Sequence, residues 1–140
     1  MKHIAHSKFE SITWVASIVL LLFIGISASL GGLALVIDPT GNTLGLSVRG
    51  LSETFFTDYE APGMILFFAV GILNLITSVV TMMKRPIYPT LIFIQGAILT
   101  GWILAQVYML PENHILQLLY FLLGLFLMLL GNFQRSKRAL

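Results

Sequence analysis

Few side chains in this sequence could carry chemistry, and their spacing decides what each could do. His3 and His6 stand three apart, so on a helix both imidazoles would share a face, as the first two ligands of a metal site do. No third ligand accompanies them in the short polar terminus. A haem held between helices would need facing axial His or Met, yet the one His beside an apolar stretch is His114, at its edge. Met64, Met82, Met83, Met109 and Met128 are scattered as packing or lipid-facing residues are. Ser52, Asp58 and His114 are the residue types of a hydrolytic triad, but no spacing draws them together. The chain has no Cys, which removes disulfides, thiol redox chemistry and thiolate ligation at once. The expectation is a non-enzymatic protein with no cofactor and no bound metal.

Coupled transport usually leaves an ionisable group inside the bilayer, because so costly a residue is kept only for use. Here none lies deep in an apolar stretch; Glu10 comes nearest, just before the first, where it can reach water. The stretches themselves are long. Residues 11–37, 63–83, 87–110 and 115–134 contain no acidic or basic side chain, and each reaches the roughly 20 residues that cross about 30 Å of hydrocarbon as a helix. With 57% of its residues hydrophobic and 10% charged, against about a quarter charged in soluble domains, a 140-residue chain cannot hide its apolar surface in a water-soluble core. The first stretch is also longer than a signal-peptide core of roughly 7 to 15 residues, so it reads as a retained helix. The predicted fold is all-α: a single-domain, integral membrane, up-down four-helix bundle with spans at 11–37, 63–83, 87–110 and 114–133 and a partly helical outer loop at 38–62.

Lys2 and Lys8 precede the first span, Lys84 and Arg85 separate the second from the third, and Arg135, Lys137 and Arg138 follow the fourth; Arg49 alone falls on the other side. Basic flanks are retained in the cytoplasm, so both termini are expected there, in a plasma membrane. The same distribution accounts for the net charge of +2, and no nucleic-acid partner is expected. Pro62, Pro86 or Pro89, and Pro111 suit the first turns of the helices they precede, where a missing N–H costs nothing.

Lipid is as apolar as Leu, so the helices must associate through close packing and interhelical hydrogen bonds. Small residues should mark the contacts: Gly25 with Ser29 and Ala28 with Gly32 on the first helix, Gly71 with Asn74 and Ser78 on the second, and Ala97, Gly101 and Ala105 on the third. Counting depth along the helices puts Gln106 level with Gln117 and Gln95 level with Ser78. These are packing and bonding residues in one reading and the lining of a polar path in the other.

The outer loop opens on Asp38-Pro39-Thr40-Gly41, residue types that suit a tight turn. Leu44, Val48, Leu51, Phe55 and Tyr59 then recur at helical spacing, as an interfacial helix weakened by Gly45 and Gly50 would. Arg49 has Glu53 four residues on as its nearest acid. The turn, together with Leu44-Gly45-Leu46 and Phe55-Phe56-Thr57-Asp58-Tyr59 leading into Pro62-Gly63, resembles the first outer loop of small four-helix bacterial membrane proteins that carry no assigned function. The likeness covers about the middle third of the chain, with weaker agreement at Gly101-Trp102 and Gln106. It implies a bacterial plasma membrane and four spans, and it brings no activity.

Three functional readings stand at this point. In the first, a lipid-like ligand or a partner subunit binds at the outer end through Asp38, Arg49, Asp58, Glu60, Trp102, Gln106, His114 and Gln117, with Trp102 and Gln106 one turn apart on one face. In the second, oligomers form a small transporter or pore lined at the Gln95 and Asn74 levels. In the third, the chain is an assembly subunit of a membrane complex, paired through its small-residue faces. Membrane lipid, a second copy and a partner membrane subunit are the expected partners.

Overall fold

The computed structural model describes residues 2–41, 58–109 and 115–139, with side chains over 8–41, 58–108 and 115–136. Four helices make up these residues: α1, Lys2–Ile37; α2, Glu60–Met82; α3, Tyr88–Met109; and α4, Ile115–Ala139. Each contains a segment long and apolar enough to span a bilayer, and together they form the four-helix bundle of a multi-pass membrane protein. One end of the bundle carries Asp38 and Glu60 and is here termed the loop end; the other carries Lys84 and is termed the basic end. The residues expected to form an interfacial helix, from Leu44 to Phe55, lie outside the described residues, as do Arg49, Ser52 and His114 and the side chains of His3 and His6.

Local sequence sets the helix ends. Pro62 and Pro89 sit in the first turns of α2 and α3. At the basic end of α2, Lys84 takes φ 54°, its N–H donates to the Thr81 carbonyl and the Arg85 N–H donates to the Val80 carbonyl. That is the bonding of a Schellman cap, with Lys in the left-handed position usually given to Gly. The Lys84 ammonium lies 4.7 Å from the centre of the Trp14 ring, which offsets part of the backbone strain. At the loop end the Gly41 N–H closes a turn on the Asp38 carbonyl at 3.0 Å, with Gly41 at φ 79°.

α2 is not uniform. Residues Leu66–Ile72 wind as a π-helix between α-helical flanks. Gly63 and Gly71, eight residues apart, both meet α1, Gly63 against Leu35 and Gly71 against Ser29. In a regular α-helix eight residues overshoot two turns by about 80°. The wider π turns remove that excess and return both glycines to one face.

The molecule is two helix hairpins laid together. In the first, α1 and α2 approach so closely that a Cβ on Gly32 would come within 2.6 Å of the Gly63 carbonyl oxygen. In the second, a Cβ on Gly96 would come within 2.6 Å of the Gly124 carbonyl oxygen, and one on Gly131 within 2.5 Å of the Phe93 nitrogen. Leu21, Ile24, Val70, Ile92, Leu99 and Leu127 fill the centre. The hairpins meet along a seam held by specific bonds: Tyr120 donates to the Ser27 hydroxyl at 2.9 Å, Gln134 donates to the Ser17 hydroxyl at 2.8 Å, and Phe9 meets Phe133 edge to face.

One packing expectation is corrected. Ala97 and Gly101 face outward, Ala105 is only half-buried, and a Cβ on Gly101 would meet nothing within 4 Å. The close approach on α3 uses the stripe beside them, Gly96 and Thr100, against α4. The outward stripe recurs every fourth residue as well, and spacing cannot say which of two adjacent small-residue faces the neighbour takes. By contrast Gly25, Ser29 and Gly71 meet at the α1–α2 contact, and Asn74, Ser78 and Gln95 are buried in the bundle.

Candidate functional site

At the loop end the acidic residues are engaged locally. Asp38 Oδ1 accepts the Thr40 hydroxyl at 2.6 Å, and the Pro39 carbonyl accepts the Tyr59 N–H at 2.9 Å, which ties the turn to the start of α2. Asp58 Oδ1 accepts the Glu60 N–H at 3.0 Å, one of the donors a helix start leaves unpaired. Asp38 and Asp58 thus shape the loop, and Glu60 is exposed. Tyr59 is buried beneath them, and burial pushes its phenol up from its usual value of 10.0.

One helical turn into the membrane, Gln117 donates to the Gln106 amide oxygen at 3.3 Å, joining α3 to α4 across their hairpin. The structure therefore brings together two of the residues that depth counting matched. Trp102 lies one turn deeper on the Gln106 face, its ring packed on the central cluster. Its indole N–H is sealed from solvent and finds no acceptor among the described residues. A buried donor in this condition is costly, and most native structures satisfy it.

Further unpaired polar atoms run along the interior: the Ser29 hydroxyl and the amide oxygens of Asn74, Gln95 and Gln134. Sequence reasoning placed Asn74 and Gln95 but passed over Gln134, because it stands at the apolar edge of α4 beside Arg135. The available signal was the apolar run ahead of it, which carries the helix inward to that position. Thr13, Ser17, Thr77 and Thr81 were also missed, and all four are buried. Hydroxyl residues in an apolar run read equally well as lipid-facing, since they can bond their own helix.

No cluster of metal-ligating side chains occurs among the described residues. Comparison with family models, with curated proteins and with solved structures returns no match.

Proposed function

We propose that this chain is a non-enzymatic protein of a bacterial plasma membrane, with both termini cytoplasmic, that binds a lipid-like ligand at the loop end. The observation that carries the reading is the Trp102 indole N–H, a buried donor without an acceptor, one turn from the Gln106–Gln117 pair. An apolar ligand bearing a carbonyl, such as an ester or quinone-type head, supplies the missing acceptor and leaves its hydrocarbon on Leu and Ile side chains. Native mass spectrometry from lipid nanodiscs tests it. Wild-type protein and the exposed-site control Tyr108→Phe should retain a lipid-like adduct. Trp102→Phe should hold it about three- to tenfold more weakly, as loss of one neutral hydrogen bond predicts. Equal retention by Trp102→Phe would refute the site.

The basic-end residues Lys84, Arg85 and Arg135 support the orientation. Because the chain lacks Cys, a single Cys placed beside Lys84 is a clean probe. It should be shielded from an impermeant thiol reagent in whole cells and react once they are opened.

A second reading, an assembly subunit pairing with another copy or a partner, has the outward face of Ala97 and Gly101 in its favour.

A further inference from the structure

The basic-end half of the seam holds a second group of polar side chains, separate from Trp102. Printed contacts fix its register: Trp14 meets Thr81, Ser17 meets Gln134, and Gly96 lies against Gly124 and Met128. Counting at 1.5 Å per residue from these pairs sets Gln134, Ser17, Ser78 and Gln95 near one depth, with Asn74 about one turn further toward the loop end. All five are enclosed: Ser17, Ser78 and Asn74 are 0% exposed, and Gln95 and Gln134 are 4% exposed.

The donors of this region are already committed. Asn74 Nδ2 donates to the Val70 carbonyl, and Gln134 Nε2 is shared between the Ser17 hydroxyl and the Leu130 carbonyl. The hydroxyls of Ser17, Ser78 and Thr81 donate to the carbonyls of Thr13, Leu75 and Thr77 of their own helices. The Trp14 indole N–H donates to the Thr81 carbonyl. With Asn74 and Gln134 oriented by these bonds, their oxygens have no donor to turn to, and the Gln95 oxygen is unpaired as well. Three acceptors therefore face an interior whose own hydroxyl and indole protons are spent.

The chemistry of the missing group follows. An acceptor-only site takes a hydrogen-bond donor and refuses an anion. No ionisable side chain stands inside the described spans to balance a charge, and the rim at this end carries Lys84, Arg85 and Arg135. A cation would be repelled at the rim and would meet only neutral oxygens within. We propose that the basic-end half of the seam binds small uncharged hydrogen-bond donors, water foremost, at the amide oxygens of Asn74, Gln95 and Gln134. Bound water with two or three such partners is a regular structural element of protein interiors.

Pulsed hydroxyl-radical footprinting of the full chain in lipid nanodiscs tests the proposal, since radicals born from bound water label the side chains beside it. Leu21 and Leu127 are fully buried near the Gln95 level, and Leu99, equally sealed, lies nearer the loop end as the reference. Leu21 and Leu127 should be labelled several-fold more than Leu99, and the excess should vanish in the double variant Asn74→Leu, Gln95→Met. If that variant loses its helicity, Gln95→Met alone is read by the same criterion. Labelling at the Leu99 level in the wild type, or an excess that survives the substitution, would overturn it. Labelling that changes when choline in the buffer is replaced by sodium or potassium would assign a cation and overturn it too. The Trp102→Phe variant should keep the full excess, so failure of the loop-end reading and failure of this one are told apart.

Discussion

A polar side chain inside hydrocarbon has to be bonded to something, and the residues of this bundle show how far one chain can meet that demand by itself. Tyr120 is met in full: its hydroxyl donates to Ser27, and its ring stacks on Phe23 at 6.3 Å. Tyr120→Phe keeps the stack and removes the bond, so it should cost about 0.6 kcal/mol, the average for such interhelical pairs, and not exceed about 1.7 kcal/mol. Unfolding from mixed micelles by SDS measures it. A loss well above that range would mean that the hydroxyl holds more than Ser27. Tyr59 makes a different prediction. Burial selects its neutral phenol, so its contribution is intact below its ordinary value of 10.0 and is lost as pH rises through the higher folded value. Helicity and thermal stability followed from neutral pH upward should fall more steeply beyond about pH 10 in the wild type than in Tyr59→Phe. Parallel curves would show that the phenol stays protonated or ionises without consequence.

For the helices, glycine position separates contact from exposure. Gly96 and Gly101 sit five residues apart on α3, and composition alone does not distinguish them. A methyl on Gly96 strikes the backbone of α4 at Gly124 and Met128, whereas one on Gly101 meets open space. Gly96→Ala should therefore destabilise the bundle by about 1 to 3 kcal/mol, the range for overpacking. Gly101→Ala should be neutral or stabilising by up to about 1 kcal/mol through helix propensity. SDS unfolding of both variants checks the contrast, and destabilisation by Gly101→Ala would reveal a neighbour on that face. The four spans were legible in the sequence because length and absence of charge are sufficient to define them. The Gln106–Gln117 depth match was legible because a short connection fixes register. The face of α3 was not, since Ala97-Gly101-Ala105 and Gly96-Thr100 are both small-residue stripes in a helix apolar all round. Nor was the π segment of α2, because Leu66–Ile72 has ordinary helix-forming composition and its winding answers to Gly63 and Gly71 meeting α1.

Across the whole molecule, the two hairpins differ from the seam that joins them. Each hairpin is sealed by backbone approaching backbone at glycine notches, a contact that excludes lipid and depends on no single hydrogen bond. The seam is polar and aromatic: Ser17 with Gln134, Ser27 with Tyr120, and Phe9 with Phe133. Helices that have satisfied their own backbones are stable in lipid before they associate, so each hairpin should insert and close by itself. The connection at residues 83–87 is then a tether whose main work is to keep the halves at high local concentration. Splitting the chain between Lys84 and Arg85 removes that tether and tests the idea. Co-expressed fragments 1–84 and 85–140 should co-purify from the membrane as a one-to-one complex. Gln134→Leu together with Tyr120→Phe should weaken that complex, by about 1.2 kcal/mol if the two bonds are average, or roughly eightfold in association, while each fragment alone stays helical. Fragments that never associate would show that the hairpins are not independent folding units. Association untouched by the double substitution would shift the adhesion to the aromatic and apolar contacts, and would leave the buried amides free to serve the solute or solvent they enclose.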